Sequence, residues 1–175
     1  MKTYFEIFNI PQSYNLNLDE LEGKYLQLQK EFHPDKLVNK SDGERLILAN
    51  LSADVNDAYQ ILKSPLHRAE YVLSLHKIIV NADAKDTIKP NTQILLEAME
   101  MREQLEDVTS FEEIKTFEKT IKNEQQTSKQ KIIELFNQEL NTKNLEIIAL
   151  ETIRLKYISK FLEDIKSKVK GKNKV

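Results

Sequence analysis

The strongest constraint on this chain lies near its C-terminal end, where Leu145, Ile148, Thr152, Leu155, Ile158, Leu162, Ile165 and Val169 follow one another at spacings of three or four. Only a helix brings such positions onto one face, so about Lys143 to Lys170 is predicted to form one long helix with a single buried side. A helix cannot cover its own stripe. Neighbouring segments must supply the other half of the core, and this chain offers several.

Leu18, Leu21, Tyr25, Leu28 and Phe32 repeat the pattern at 3, 4, 3, 4, as do Leu48, Leu51, Val55, Ala58 and Leu62. Two matched stripes joined by fewer than ten residues predict an antiparallel helical hairpin. Helix starts are written out repeatedly. Thr3-x-x-Glu6, Ser41-x-x-Glu44 and Ser110-x-x-Glu113 are capping-box patterns, Asn17 precedes an acidic first turn, Ser64-Pro65 pairs a cap with proline at the first helical position, and Asn91 follows Pro90. Three glycines and four prolines leave little material for β-turns. The predicted class is all-α, with helices over about Tyr4 to Phe8, Leu18 to Phe32, Asp42 to Lys63, Pro65 to His76, Thr92 to Asp107, Phe111 to Glu139 and Lys143 to Lys170.

Apolar periodicity lapses from Val80 to Pro90, around Asn81-Ala82-Asp83-Ala84-Lys85-Asp86. This predicts a helical-hairpin unit over 1–77, a linker over 78–90 and a three-helix bundle over 91–171.

Composition removes several functions. With no cysteine there can be no disulfide, thiolate zinc site, cluster ligation by thiolate or cysteine nucleophile in this chain. Net charge is −2 and no basic face carries interleaved aromatics, so nucleic acid is not an expected partner. No apolar run could span a bilayer and no basic-then-apolar leader opens the sequence, so the expected location is cytoplasmic, without membrane attachment. The lysines from Lys166 to Lys174 read as a solvated helix end, with cations at the negative pole of the dipole.

One tripeptide has no role in helix packing. His33-Pro34-Asp35 falls between the two matched stripes, and proline there ends the helix at about Phe32 and presents His33 and Asp35 on a turn. A histidine and a carboxylate so placed can make charge-assisted hydrogen bonds to another molecule. An Asp-oriented histidine acting as general base is the enzymatic alternative, but no nucleophile, strand or glycine-rich loop accompanies it. No metal site is expected: His67 and His76 stand nine residues apart rather than at the i, i+4 spacing of two helical ligands.

Tyr4-Phe5-x-x-Phe8, the helix through Tyr25 and Leu28, Phe32-His33-Pro34-Asp35-Lys36 and Asn56-Asp57-Ala58-Tyr59-x-x-Leu62 together resemble a J-domain. The continuation from Leu62-Lys63-Ser64-Pro65 through Arg68-Ala69-Glu70-Tyr71 to His76 is similar to the HscB group, in which the J-domain is followed by a helical domain that binds the iron-sulfur scaffold protein IscU. The resemblance is strongest over 1–76 and again over Leu95 to Leu105. Asn9 stands where the group usually has glycine, an exchange that a left-handed position accepts.

The resemblance implies a co-chaperone, not an enzyme, with no cofactor of its own. It would bring IscU to a DnaK-type chaperone ATPase of the HscA kind and stimulate ATP hydrolysis, in a bacterial cytoplasm. His33, Pro34 and Asp35, with Lys24, Tyr25, Lys30 and Lys36, match the positions that would meet the ATPase. A general J-domain co-chaperone with a helical client-binding domain shares the loop but not the scaffold, and a purely structural helical adaptor would use neither.

On the helix from Thr92 to Asp107, Ile94, Ala98, Met101, Leu105 and Val108 account for a core stripe, which leaves over Leu95, Leu96 and Met99, bordered by Glu100, Glu103 and Asp107. Two readings stay open from spacing alone: a wider core stripe with a solvated acidic flank, or an exposed apolar patch rimmed by carboxylates. Through the resemblance, Leu95, Leu96, Met99, Glu100, Arg102, Glu103 and Asp107 match scaffold-contacting positions, as does Tyr157. That tyrosine lies off the register of Leu155 and Ile158, which favours exposure, though an aromatic there could also be core.

Overall fold

The computed structural model describes residues 2–32, 40–80 and 87–172. All regular structure in them is helical: α1 (Tyr4–Ile7), α2 (Leu18–Glu31), α3 (Asp42–Lys63), α4 (Pro65–Leu75), α5 (Thr92–Asp107), α6 (Phe111–Phe136) and α7 (Thr142–Lys172). The predicted boundaries agree to within three residues. The reason is local chemistry, because all three capping boxes form with both arms closed, at Thr3 with Glu6, Ser41 with Glu44 and Ser110 with Glu113. Asn17, Asn91 and Asn141 accept first-turn amides through their side chains, and Ser64 Oγ accepts from the His67 amide.

The chain divides into two compact units, with the boundary between Val72 and Leu73 inside α4. In the first unit α2 and α3 pack antiparallel. Tyr25 stacks on Tyr59 with ring centroids 3.9 Å apart, and its hydroxyl donates to Asn56 Oδ1 at 3.0 Å. The core is Phe5, Phe8, Tyr14, Leu21, Val55, Ala58, Leu62, Ala69 and Val72. Two predicted stripe positions depart from this core, Leu18 at 46% and Leu51 at 43% exposure. α1 ends with Asn9 left-handed at φ 49°, closed by the Ile10 amide on the Phe5 carbonyl and the Asn9 amide on the Glu6 carbonyl.

In the second unit α6 runs antiparallel to α7, and α5 runs parallel to α7. Phe117 meets Phe161 edge-on, Ser128 meets Glu151, and Arg154 meets Glu97. Of the predicted α7 stripe, Leu145, Ile148, Thr152, Leu155, Ile158, Leu162 and Ile165 are buried and Val169 is half-buried. Each large aliphatic so buried contributes about 1.5–3 kcal/mol of apolar transfer.

Part of the stretch read as a linker is packed. Ile78, Val80 and Ile88 lie against the cluster of Leu73, Leu145, Ile148 and Ala149. Lys77 turns the chain there at φ 63°, with the Ile78 amide on the Leu73 carbonyl and the Lys77 amide on the Ser74 carbonyl, a Schellman closure built on lysine instead of glycine. Nor is the C-terminal lysine run wholly solvated. Lys168 Nζ reaches the carbonyls of Leu105 and Val108, placing a cation on the free acceptors at the end of α5.

Candidate docking surface

The rotation of α5 about its own axis decides whether its surplus apolar residues face the core or water. Asn91 Oδ1 accepts the Ile94 amide at 3.0 Å and starts the helix. Ile94 and Met101 are buried, while Ala98, Leu105 and Val108 are half-buried, so the predicted stripe does face the bundle. A charged pair fixes this setting: Arg154 Nε of α7 donates to Glu97 Oε2 at 2.6 Å. Burial works against the Arg154 charge, but the hydrogen bond and charge of Glu97, with Glu151 and Glu124 adding, outweigh it and raise its pKa.

Held this way, α5 turns Leu95, Leu96 and Met99 outward at 43%, 53% and 58% exposure. The wider-core reading of these three is thereby excluded for this unit. Glu100, Arg102, Glu103 and Asp107 are exposed on the same helix, so three apolar side chains sit among three carboxylates and one guanidinium. Three large apolar residues side by side on a helix, left exposed by the described residues of their own unit, form the kind of patch that binding surfaces use. Tyr157, two residues past the buried Leu155, is half-buried, between the exposure that its register favours and a place in the core.

The residues expected to meet a chaperone ATPase lie on the first unit. His33, Pro34, Asp35 and Lys36 fall outside the described residues. Lys24 donates to the Asn9 carbonyl at 2.8 Å and pairs with Glu20 at 3.0 Å, so it closes the end of α1. Tyr25 is half-buried in the α2–α3 seam, where Gln29 Nε2 also donates to its hydroxyl at 2.7 Å. Lys30 is exposed on the last turn of α2.

Sequence reasoning missed a polar network inside the bundle. Glu151 is buried on α7, where its Oε1 accepts from Ser128 Oγ at 2.8 Å and its Oε2 from Lys131 Nζ at 2.6 Å, with Arg154 at 3.6 Å. Through Arg154 and Glu97 this network ties all three helices together. The signal was present: Glu151 stands three residues after Ile148 and four before Leu155, the spacing of a core position. Arg68 of α4 is the corresponding surprise in the first unit. It is buried, donates to the Leu62 carbonyl at 2.7 Å and lies 4.9 Å from the centre of the Tyr14 ring, and its burial lowers its pKa against the opposing influence of Tyr14.

Among the described residues no group of three or more His, Asp or Glu is placed to hold a metal ion, and no helix is long and apolar enough to cross a membrane. Residues 90–166 match the family model described as the HSCB C-terminal oligomerisation domain. The co-chaperone protein HscB homolog of Vibrio cholerae is 45% identical over 107 residues, which is 61% of this chain and 61% of that relative's length. The corresponding protein of Haemophilus ducreyi is 34% identical over 168 residues, 94% of each chain. The solved structure of the Vibrio cholerae chaperone HscB superposes with a TM-score of 0.81 at 31% identity, covering 95% of this chain and 96% of that one. Fold and likeness thus place the chain, helical throughout its described elements and divided into two units, among proteins of the kind these co-chaperones represent. More narrowly, the chain belongs to the HscB family.

Proposed function

We propose that this co-chaperone binds the iron-sulfur scaffold protein IscU through α5 and delivers it to a DnaK-type ATPase of the HscA kind, whose hydrolysis it stimulates through the first unit. The observation that carries the reading is the outward face of α5: Leu95, Leu96 and Met99 exposed together among Glu100, Glu103 and Asp107. An apolar centre with a charged rim is how a protein partner is held and oriented. Tyr157 and Arg102 extend that face. The first unit supports the second half of the reading, because the stacked α2–α3 hairpin brackets the segment containing His33, Pro34 and Asp35. In this scheme the chain turns over no substrate. Its residues 1–77 act as the J-domain and those from 91 onward as the scaffold-binding bundle, in a bacterial cytoplasm.

A steady-state ATPase assay with HscA and IscU tests both halves. The unsubstituted chain is expected to stimulate hydrolysis, and His33→Gln to remove most of that stimulation, since losing one charge-assisted hydrogen bond costs about 1.5–3 kcal/mol, or about tenfold or more in an equilibrium constant. Leu95→Ala with Met99→Ala should keep the IscU-independent part and lose the IscU-dependent part, with helicity unchanged. Full stimulation by His33→Gln would remove the J-domain assignment. A substituted chain as responsive to IscU as the original would remove the docking face.

A further inference from the structure

Beside the outward face of α5 lies a cavity of about 330 Å³ bounded by α5, α7 and, from the chain before α5, Val80, Ile88 and Pro90. We propose that it is an anchor pocket, taking one apolar side chain of the docked protein together with a neighbouring carboxylate of that protein; the inference rests on the docking role proposed above for α5. Its walls are apolar, from Ile88, Ala98, Met101, Ile153 and Phe161, and Tyr157 stands in the same lining. In that lining α5 presents only a methyl group at Ala98. At the lower end of the range for ligand sites, roughly 300–1,000 Å³, the volume suits a side chain better than a large cofactor.

The pocket is continuous with the patch. Leu95, Met99 and Arg102 follow at spacings of four and three, forming one ridge of α5, and Arg102 lines the cavity. The ionisable groups lining the cavity identify the occupant. Arg102, Lys156 and Lys160 are exposed and contribute to the lining, against one carboxylate, Asp164. Arg102 and Lys160 over apolar walls favour an apolar group that brings negative charge with it. The other flank of the ridge carries Glu100, Glu103 and Asp107 and has the opposite sign. A partner laid across the ridge therefore meets positive charge on one side and negative on the other, and only one orientation matches both. Area alone could not impose that direction.

Calorimetric titration of the full chain with IscU, at low and high salt, tests the assignment. Ala98→Leu fills the pocket from a helical position that accepts leucine, and Lys160→Glu reverses a rim charge without touching Leu95, Leu96 or Met99. Ala98→Leu is expected to weaken binding about tenfold with the melting temperature unchanged or raised, and Lys160→Glu to weaken it about tenfold with a flatter salt dependence. Should Ala98→Leu melt early, Lys160→Glu alone decides, since its side chain is exposed. Unchanged affinity in these variants, while Leu95→Ala still weakens binding, overturns the pocket and leaves the docking role standing. No binding of IscU by the unsubstituted chain overturns the docking role and the pocket with it. If Ala98→Leu lowers the sedimentation coefficient of the free chain, the occupant is a second copy and the proposal is overturned.

Discussion

The second unit buries almost every position of the α7 stripe, whereas the first, written with the same spacing of three and four, leaves Leu18 and Leu51 nearly half exposed. Spacing fixes which side chains share a face, but the depth of their burial depends on what stands opposite. α7 is covered along its length by α6 and again by α5, while α2 and α3 each have one long partner. Charge is distributed just as unequally. The second unit sinks the carboxylate of Glu151 among Ser128, Lys131 and Arg154, whereas the ion buried in the first is a cation, Arg68, and the carboxylates of Glu6 and Glu44 cap exposed helix starts. A continuous core with an internal polar clamp suits a rigid platform for docking.

The contrast is tested most severely at matched stripe positions. Ile158→Ala empties a site with no exposure, between α6 and α5, and should cost about 3–4 kcal/mol in chemical unfolding. Leu51→Ala removes as many methylene groups from the first unit but should cost less than about 1 kcal/mol, since the leucine already meets water. Equal losses would mean that Leu51 is covered in solution and that the two units are built alike.

A smaller effect separates the polar arrangements. Glu151→Ala leaves Ser128 without its acceptor and Lys131 and Arg154 without a shared carboxylate, at an expected cost of about 2–3 kcal/mol. Lys131 keeps contact with water, which holds the figure below that for a fully buried pair. Glu20→Ala, which breaks the exposed pair with Lys24 in the first unit, should change stability by less than about 0.5 kcal/mol. A negligible effect at Glu151 would make the clamp a passenger on the apolar core.

These same residues mark how far the fold could be read in advance. Helix ends were legible because a capping box is a complete local circuit, and Thr3, Ser41 and Ser110 close theirs without help from distant residues. Asn9 was legible as a left-handed position because proline follows closely and asparagine tolerates that conformation. Lys77 was not, since no preference of lysine marks it and the turn is imposed by packing Ile78 onto Leu73. On α5 the pattern gave the patch residues but could not say whether Leu95, Leu96 and Met99 face a neighbour. That answer needed the Glu97–Arg154 pair, which joins residues 57 apart in sequence. The cavity was invisible for the same reason, being bounded by α5, α7 and the chain before α5.

The smallest effect expected is a pH dependence confined to exposed helix starts. The backbone amide and hydroxyl of Ser41 hydrogen-bond to the Glu44 carboxylate, Lys40 adds a favourable charge, and the Glu44 pKa is lowered from its ordinary 4.5. Glu6 is lowered likewise by Thr3. A carboxylate whose folded pKa is depressed contributes stability that is fully present above its unfolded value and is lost as pH falls through the folded one. The first turns of α1 and α3 should therefore fray as pH drops below about 4.5, seen as faster exchange of the Glu6 and Glu44 amides relative to those of α7. Glu44→Gln keeps a weaker, neutral version of the cap and should abolish the acid dependence at α3 while leaving that at α1. An acid response that persists at α3 in Glu44→Gln would place its origin elsewhere in the first unit and weaken the contrast between carboxylates that cap helix starts there and the carboxylate buried mid-bundle in the second.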